Sequence, residues 1–177
     1  MSKISFATVW LDGCSGCHMS FLDIDQRLIE LAEKVDVVYS PLVDHKEFPL
    51  AVDVTLVEGA VSSDEDREKI INIRQKTKTL VSLGDCALTA NVPSMRNPFL
   101  VKDVLDRAYM ENVTINRQIP REGVPRLLPY SRPVHEVVSV DVFIPGCPPP
   151  ADAIYFALCE LLEGRMPDLT GKTRFGA

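Results

Sequence analysis

The chain has 177 residues, 46% of them hydrophobic and 25% charged, with a formal net charge of −6. That length buries a sizeable core within one ordinary domain, and the acidic balance speaks against nucleic acid as a direct partner, because phosphate binding needs a basic face. The longest apolar run is far too short for a membrane span, and the opening Met1-Ser2-Lys3-Ile4 carries neither a leader-type apolar stretch nor a twin-arginine pattern. Together these features predict a cytoplasmic protein whose thiols stay reduced. Five cysteines in such a compartment point to metal or catalysis before disulfides.

In chain order, residues 3–11 (KISFATVWL) read as a nearly continuous apolar strand that stops at Asp12-Gly13. Residues 18–34 place Met19, Leu22, Leu28, Ile29, Leu31 and Ala32 at roughly helical spacing. Residues 35–42 (VDVVYSPL) predict a second strand and 53–57 (DVTLV) a third, which ends at Glu58-Gly59. A helix over 62–78 follows, with Ser62 and Glu65 as its capping box, acids in its first turn and bases in its last. Residues 79–84 (TLVSLG) predict a fourth strand ending at Asp85-Cys86, and 140–144 (VDVFI) a fifth ending at Pro145-Gly146-Cys147. Residues 151–163 form a closing helix stopped by Gly164.

Strands alternating with helices predict a parallel sheet covered on both faces, in a flavodoxin-like doubly wound order over residues 1–177. No internal repeat interrupts the pattern. The exception is the long Pro-rich irregular segment before the last strand, residues 87–139. It holds six of the thirteen prolines, and only 99–110 reads as helical. So long an irregular stretch is usually functional. Its Val124, Leu127, Leu128, Tyr130 and Val134 are poor company for open water, which predicts a partner-docking segment ahead of a surface loop that merely meanders.

Four of the five cysteines share one topological address. Cys14 and Cys17 follow the first strand, Cys86 the fourth and Cys147 the fifth, in the spacing C-x2-C-x68-C-x60-C. In a parallel sheet these strands end on one edge, where such folds bind ligands. Four converging thiolates suit zinc or an iron–sulfur cluster. Structural zinc commonly takes two short knuckles and this chain has one, whereas a cubane accepts ligands from several loops, so the spacing favours 4Fe-4S. Gly13, Gly16, Gly84 and Gly146 flank the cysteines and let backbone N–H groups approach cluster sulfurs. A thioredoxin-like thiol oxidoreductase using Cys14 and Cys17 is the rival from another class, but it leaves Cys86 and Cys147 without a task. Cys159, among Ile154, Phe156, Leu158 and Leu161, reads as a small buried hydrophobe.

The stretches LDGCSGCH, GDCALTANVPSMRNP and PGCPPPADAI resemble, in order, the three cluster-binding motifs of nickel–iron hydrogenase small subunits, with the strongest likeness to the soluble NAD-reducing (bidirectional) type. The likeness runs from the first strand to the last helix. A related subunit of quinone-reducing complex I carries adjacent cysteines in the first motif, whereas here Ser15-Gly16 separates them. The resemblance implies that Cys14, Cys17, Cys86 and Cys147 ligate one proximal 4Fe-4S cluster, and that no catalytic residue lies on this chain. Gly13, Gly16, Glu58, Arg96, Gly146 and Pro148 would stand around the cluster or at an interface, with Glu58 beside the cluster and Arg96-Asn97 positioning a loop or partner. His18 would cap or abut the first helix, and His45 and His135 show no ligand-like pairing.

The same resemblance implies a hydrogenase large subunit with the nickel–iron centre as partner. It also implies diaphorase subunits carrying flavin, NAD and further clusters, with other acceptors as the alternative. Where many relatives have two glycines shortly after the third cysteine, this chain has Thr89-Ala90-Asn91. Asparagine tolerates left-handed backbone there and alanine does so poorly.

Overall fold

The computed structural model describes residues 3–175. Its elements are β1 (Ile4–Trp10), α1 (Gly16–Leu22), α2 (Arg27–Lys34), β2 (Val35–Tyr39), β3 (Val52–Glu58), β4 (Val61–Ser63), α3 (Asp64–Lys76), β5 (Thr77–Leu83), α4 (Asp85–Thr89), α5 (Val101–Asp106), β6 (Leu127–Arg132), β7 (Val142–Ile144) and α6 (Ala151–Leu162). Five strands form one sheet in the order β2-β1-β3-β5-β7, and every pairing in it is parallel. This is the expected doubly wound arrangement.

The central strands are apolar on both faces, as burial under helices on each side demands. Period-two alternation sends Val54, Leu56, Val81 and Leu83 into one core, with Ile24, Leu31, Ile154 and Leu158 from the helical side. Val9, Val57 and Leu80 enter the other, with Ile70 and Ile73 of α3 and Ala87 and Leu88 of α4.

Two local expectations are corrected. The helix expected over 18–34 breaks in two, because the chain turns between α1 and α2 to bury Ile24. Asp25 takes the left-handed conformation this requires (φ 59°), which a short polar side chain tolerates. The capping box of α3 is Ser63 with Asp66, one residue later than expected, because Ser62 is already engaged, its Oγ donating to Ser131 Oγ at 2.9 Å.

The segment 87–139 is also less irregular than expected. It holds most of α4, a 3-10 turn at Pro93–Arg96, α5 with a wider turn through Glu111, a short turn at Val134–Glu136, and β6, which pairs antiparallel with β4. Val134 belongs to the core and offers nothing to a partner, while Val124, Leu127 and Tyr130 are exposed as expected.

Beyond β1 the chain bridges to the β3–β4 turn through Asp12 N–H to Ala60 O (3.0 Å) and Ala60 N–H to Asp12 O (2.7 Å). Gly59 makes this approach possible. Its φ is +89°, and a Cβ there would lie 2.7 Å from the Leu11 carbonyl carbon. The C-terminal ends of β1, β3, β5 and β7 are thus held as one rim.

Candidate metal centre

All four cysteines reach that rim. Cys14 lies in the loop after β1, Cys17 in the first turn of α1, Cys86 in α4 directly after β5, and Cys147 in the loop after β7. They line one cavity of about 70 Å³ with Gly13, Gly16, Glu58, Gly59, Asp85, Gly146 and Pro148. None is in a disulfide; Cys14 and Cys147 are exposed, Cys17 and Cys86 half-buried. Among the described residues no three His, Cys, Asp or Glu side chains are arranged to hold a single metal ion. The thiols surround a space without converging on a point.

Burial pushes the Cys17 thiol far up, and Glu58 and the other three thiols push it the same way. Burial also raises Cys86, opposed by a hydrogen bond from the Val92 N–H and reinforced by Cys147, Cys14 and Glu58. Without a cation at their centre these sulfurs therefore favour the protonated form. A metal group inverts that preference by drawing the thiolates onto itself.

The walls are fastened from several elements. Asp85 latches the β5–α4 turn to the loop after β7: its N–H donates to Gly146 O (2.8 Å), and its Oδ1 accepts the Gly146 N–H (2.7 Å). Ser20 Oγ donates to Pro149 O at 2.5 Å, tying α1 to the Cys147 loop. Glu58 Oε2 accepts the backbone N–H of His18 at 2.6 Å and lies 2.7 Å from its ring Nδ1, which fixes α1 against the end of β3.

Two glycines keep sulfur space open. A Cβ on Gly84 (φ +79°) would fall 2.1 Å from Cys17 Sγ, and one on Gly16 would fall 3.3 Å from Cys14 Sγ.

Of the residues expected around the cysteines, Gly13, Gly16, Glu58, Gly146 and Pro148 line the cavity and Arg96 does not. Its guanidinium donates to Ser62 O (3.0 Å) and Pro129 O (3.4 Å). Neighbouring Asn97 pairs with Ser131 backbone in both directions, at 2.9 and 2.8 Å. Arg96-Asn97 thus hold the post-Cys86 loop onto the small sheet. His18 is buried in α1, while His45 and His135 are exposed. Cys159 is half-buried, less enclosed than expected, beside the Tyr155 hydroxyl. Glu58 makes the helix-terminus hydrogen bond that the sequence allows it, onto His18 at the start of α1, whereas the sequence marks Ser20 not at all and Asp85 only by its adjacency to Cys86.

The family model of the NADH ubiquinone oxidoreductase 20 kDa subunit matches residues 14–161, which include all four cysteines. The delta subunit of the NAD-reducing hydrogenase HoxS of Cupriavidus necator is 44% identical over 172 residues, 94% of this chain and 82% of that subunit. A crystal structure of an NAD+-reducing [NiFe]-hydrogenase in the H2-reduced state contains a chain that superposes with a TM-score of 0.94 at 39% identity, covering 98% of this chain and 99% of that one. The chain belongs to the NAD-reducing nickel–iron hydrogenase small-subunit family.

As a hydrogenase subunit it has longer relatives as well. A subunit of the F420-non-reducing vhu hydrogenase of Methanocaldococcus jannaschii is 37% identical over 171 residues, but the match covers only 59% of its length. A [NiFeSe]-hydrogenase chain from Dm. baculatum at 18% identity and a TM-score of 0.62 shares the fold. Among the described residues no helix of this hydrogenase subunit is long and apolar enough to cross a membrane.

Proposed function

We propose that Cys14, Cys17, Cys86 and Cys147 hold one 4Fe-4S cluster, and that the chain relays electrons between the nickel–iron site of a large subunit and a NAD-reducing diaphorase module. One observation carries the ligand assignment: four thiols from the ends of three strands ring one small cavity. A polynuclear cluster fits this donor set because each iron takes one thiolate. The glycines at 16 and 84 leave the sulfurs room that any side chain would take. When bound, such a cluster takes up and releases one electron at a time.

The chain's own residues hold, orient and shield. The four thiolates anchor the group. Asp85 and Glu58 fix the elements that carry Cys86, Cys147 and Cys17, so the sulfurs meet the cluster without reorganising. Apart from Glu58 and Asp85, whose carboxylates are tied up in hydrogen bonds, the cavity wall is cysteine, glycine and proline, which keeps the local dielectric low and lets nearby N–H groups set the potential. The polypeptide supplies no nucleophile or base for hydrogen chemistry; that belongs to the large subunit.

Residues 1–177 act as a single flavodoxin-like iron–sulfur domain in the cytoplasm. Within it the segment 87–139 is the docking region, supported by exposed Val92, Met95, Phe99, Leu100, Val124 and Tyr130. Flavin and the further clusters lie on partner chains. NAD is favoured as acceptor because the chain matches NAD-reducing relatives over 82% and 99% of their length and an F420-non-reducing one over 59%.

The test is anaerobic purification of the native complex, with metal analysis and paramagnetic resonance. About four irons per copy of this chain beyond those of its partners, with nickel on the large subunit, is the expected result. Zinc in place of iron at these cysteines overturns the assignment.

A further inference from the structure

We infer that Asn91 is a positioning residue that raises the reduction potential of the group held by Cys147, an inference that rests on the ligand assignment above. Its side-chain amide nitrogen lies 3.6 Å from Cys147 Sγ, within reach of a hydrogen bond to the large sulfur atom. With Cys147 deprotonated as a ligand, only the nitrogen end of the amide can face the sulfur, because the oxygen would meet the sulfur lone pairs.

The turn after α4 aims this group. Ala90, not Asn91, takes the left-handed conformation (φ 57°), so the turn bears the backbone strain expected of an alanine there. Its N–H closes α4 on Cys86 O at 3.0 Å, and Ser94 N–H returns to Ala90 O at 2.8 Å. Ser94 Oγ donates to Asn91 O at 2.8 Å. With the backbone pinned on both sides, two successive residues present donors to two different sulfurs: the Val92 N–H toward Cys86 and the Asn91 amide toward Cys147. One short turn thereby serves two of the four sulfurs, and only the Asn91 prong is a side chain that substitution can remove.

The direction of the effect follows from charge. Adding an electron to a thiolate-bound cluster places more negative charge on its sulfurs. An N–H donor interacts more strongly with the more negative sulfur, so it favours the reduced form. Cys147 is one of the two exposed cysteines, where water competes with the amide in the free chain. A partner covering this mouth removes that competition and strengthens the bond.

The experiment compares the anaerobically purified complex carrying the unsubstituted chain with complexes carrying Asn91→Leu, which keeps size without a donor, and Asn91→Asp, which keeps shape, loses the donor and adds a carboxylate. Iron content, the resonance signal and a redox titration of that signal are read for each. The expected result is unchanged iron, with the reduced-to-oxidised ratio at a fixed solution potential falling about three- to tenfold in Asn91→Leu and at least as far in Asn91→Asp; tenfold is about 59 mV for one electron. Full iron with an unshifted titration in both variants overturns the role of Asn91 alone. Loss of iron from both variants also overturns it, in favour of a holding role. An unsubstituted complex with no iron at these cysteines overturns the ligand assignment, and this inference with it.

Discussion

Gly84→Ala is the sharpest probe of the cavity. In the native chain Gly84 has φ 79° and ψ 160°, a region that only glycine enters freely. Alanine there costs about 1–3 kcal/mol of backbone strain. For a chain of this length each kcal/mol lowers the melting temperature by about 2–4 °C, so a drop of roughly 2–12 °C is expected. The local effect is larger. The new Cβ would lie 2.1 Å from Cys17 Sγ, against an ordinary contact of about 3.5 Å or more, so the sulfur must retreat by roughly 1.4 Å. It does so by rotating out of the ligand position. The assay pairs thermal melting of the isolated chain with iron analysis and paramagnetic resonance of the complex, and Gly164→Ala is the control. Gly164 has a similar φ of +73° with nothing within 4 Å of the added carbon. The control therefore carries a positive-φ penalty without the clash and keeps its iron, whereas Gly84→Ala loses most of its iron along with that modest share of stability. A Gly84→Ala complex with full iron and an unaltered signal would refute the reasoning.

Further outcomes are expected. Cys86→Ser and Cys147→Ser abolish hydrogen-to-acceptor electron flow in the complex while Cys159→Ser retains it, so normal turnover in Cys147→Ser contradicts the ligand set. Glu58→Leu strands the buried His18 N–H and ring nitrogen that Glu58 now serves, and costs about 2 kcal/mol or more in denaturant melts. Glu58→Gln keeps one acceptor and loses less, and equal stability of the two variants argues against that link. In the metal-free chain the folded-state pKa values of Cys17 and Cys86 lie above the ordinary thiol value. Above about pH 8.5 the unfolded chain sheds thiol protons that the folded chain retains. Stability present below that pH therefore falls as pH rises, and a urea midpoint that stays level from pH 8 to 10 speaks against burial of these thiols.

The sheet and its sulfur-bearing rim were legible because the runs of β1, β3 and β5 are apolar and β-branched, and each run that carries a cysteine, the short β7 included, closes on a glycine, so strand ends and cysteines could be placed together. The small sheet was not. β4 is three residues with two serines, and β6 contains Pro129 and runs beside exposed loops; neither carries a two-residue alternation strong enough to see. What holds the pair together is side-chain traffic from Arg96 and Asn97, which depends on contacts about 34 residues apart. The break at Asp25 was hidden because apolar positions continue at helical spacing through it, and only the burial of Ile24 reveals the turn. The Glu58–His18 link needs the register that sets Trp10 opposite Glu58, a quantity no local pattern encodes. The sequence marks Asn91 only as tolerant of left-handed backbone, while the structure uses its side chain and leaves the unusual backbone angle to Ala90.

Within the five-stranded sheet, the strand that delivers Cys147 has the fewest register pairs. β7 is three residues at the margin of the sheet, joined by three register pairs to β5, with no further strand to clasp its outer side among the described residues. Fraying at that margin would carry Cys147 away from the other three sulfurs, so an occupant bound to all four stabilises the margin by mass action. Amide exchange in Val142–Ile144 should slow sharply when the proposed site is filled, making the last strand of the sheet a gauge of whether the proposed cluster is bound.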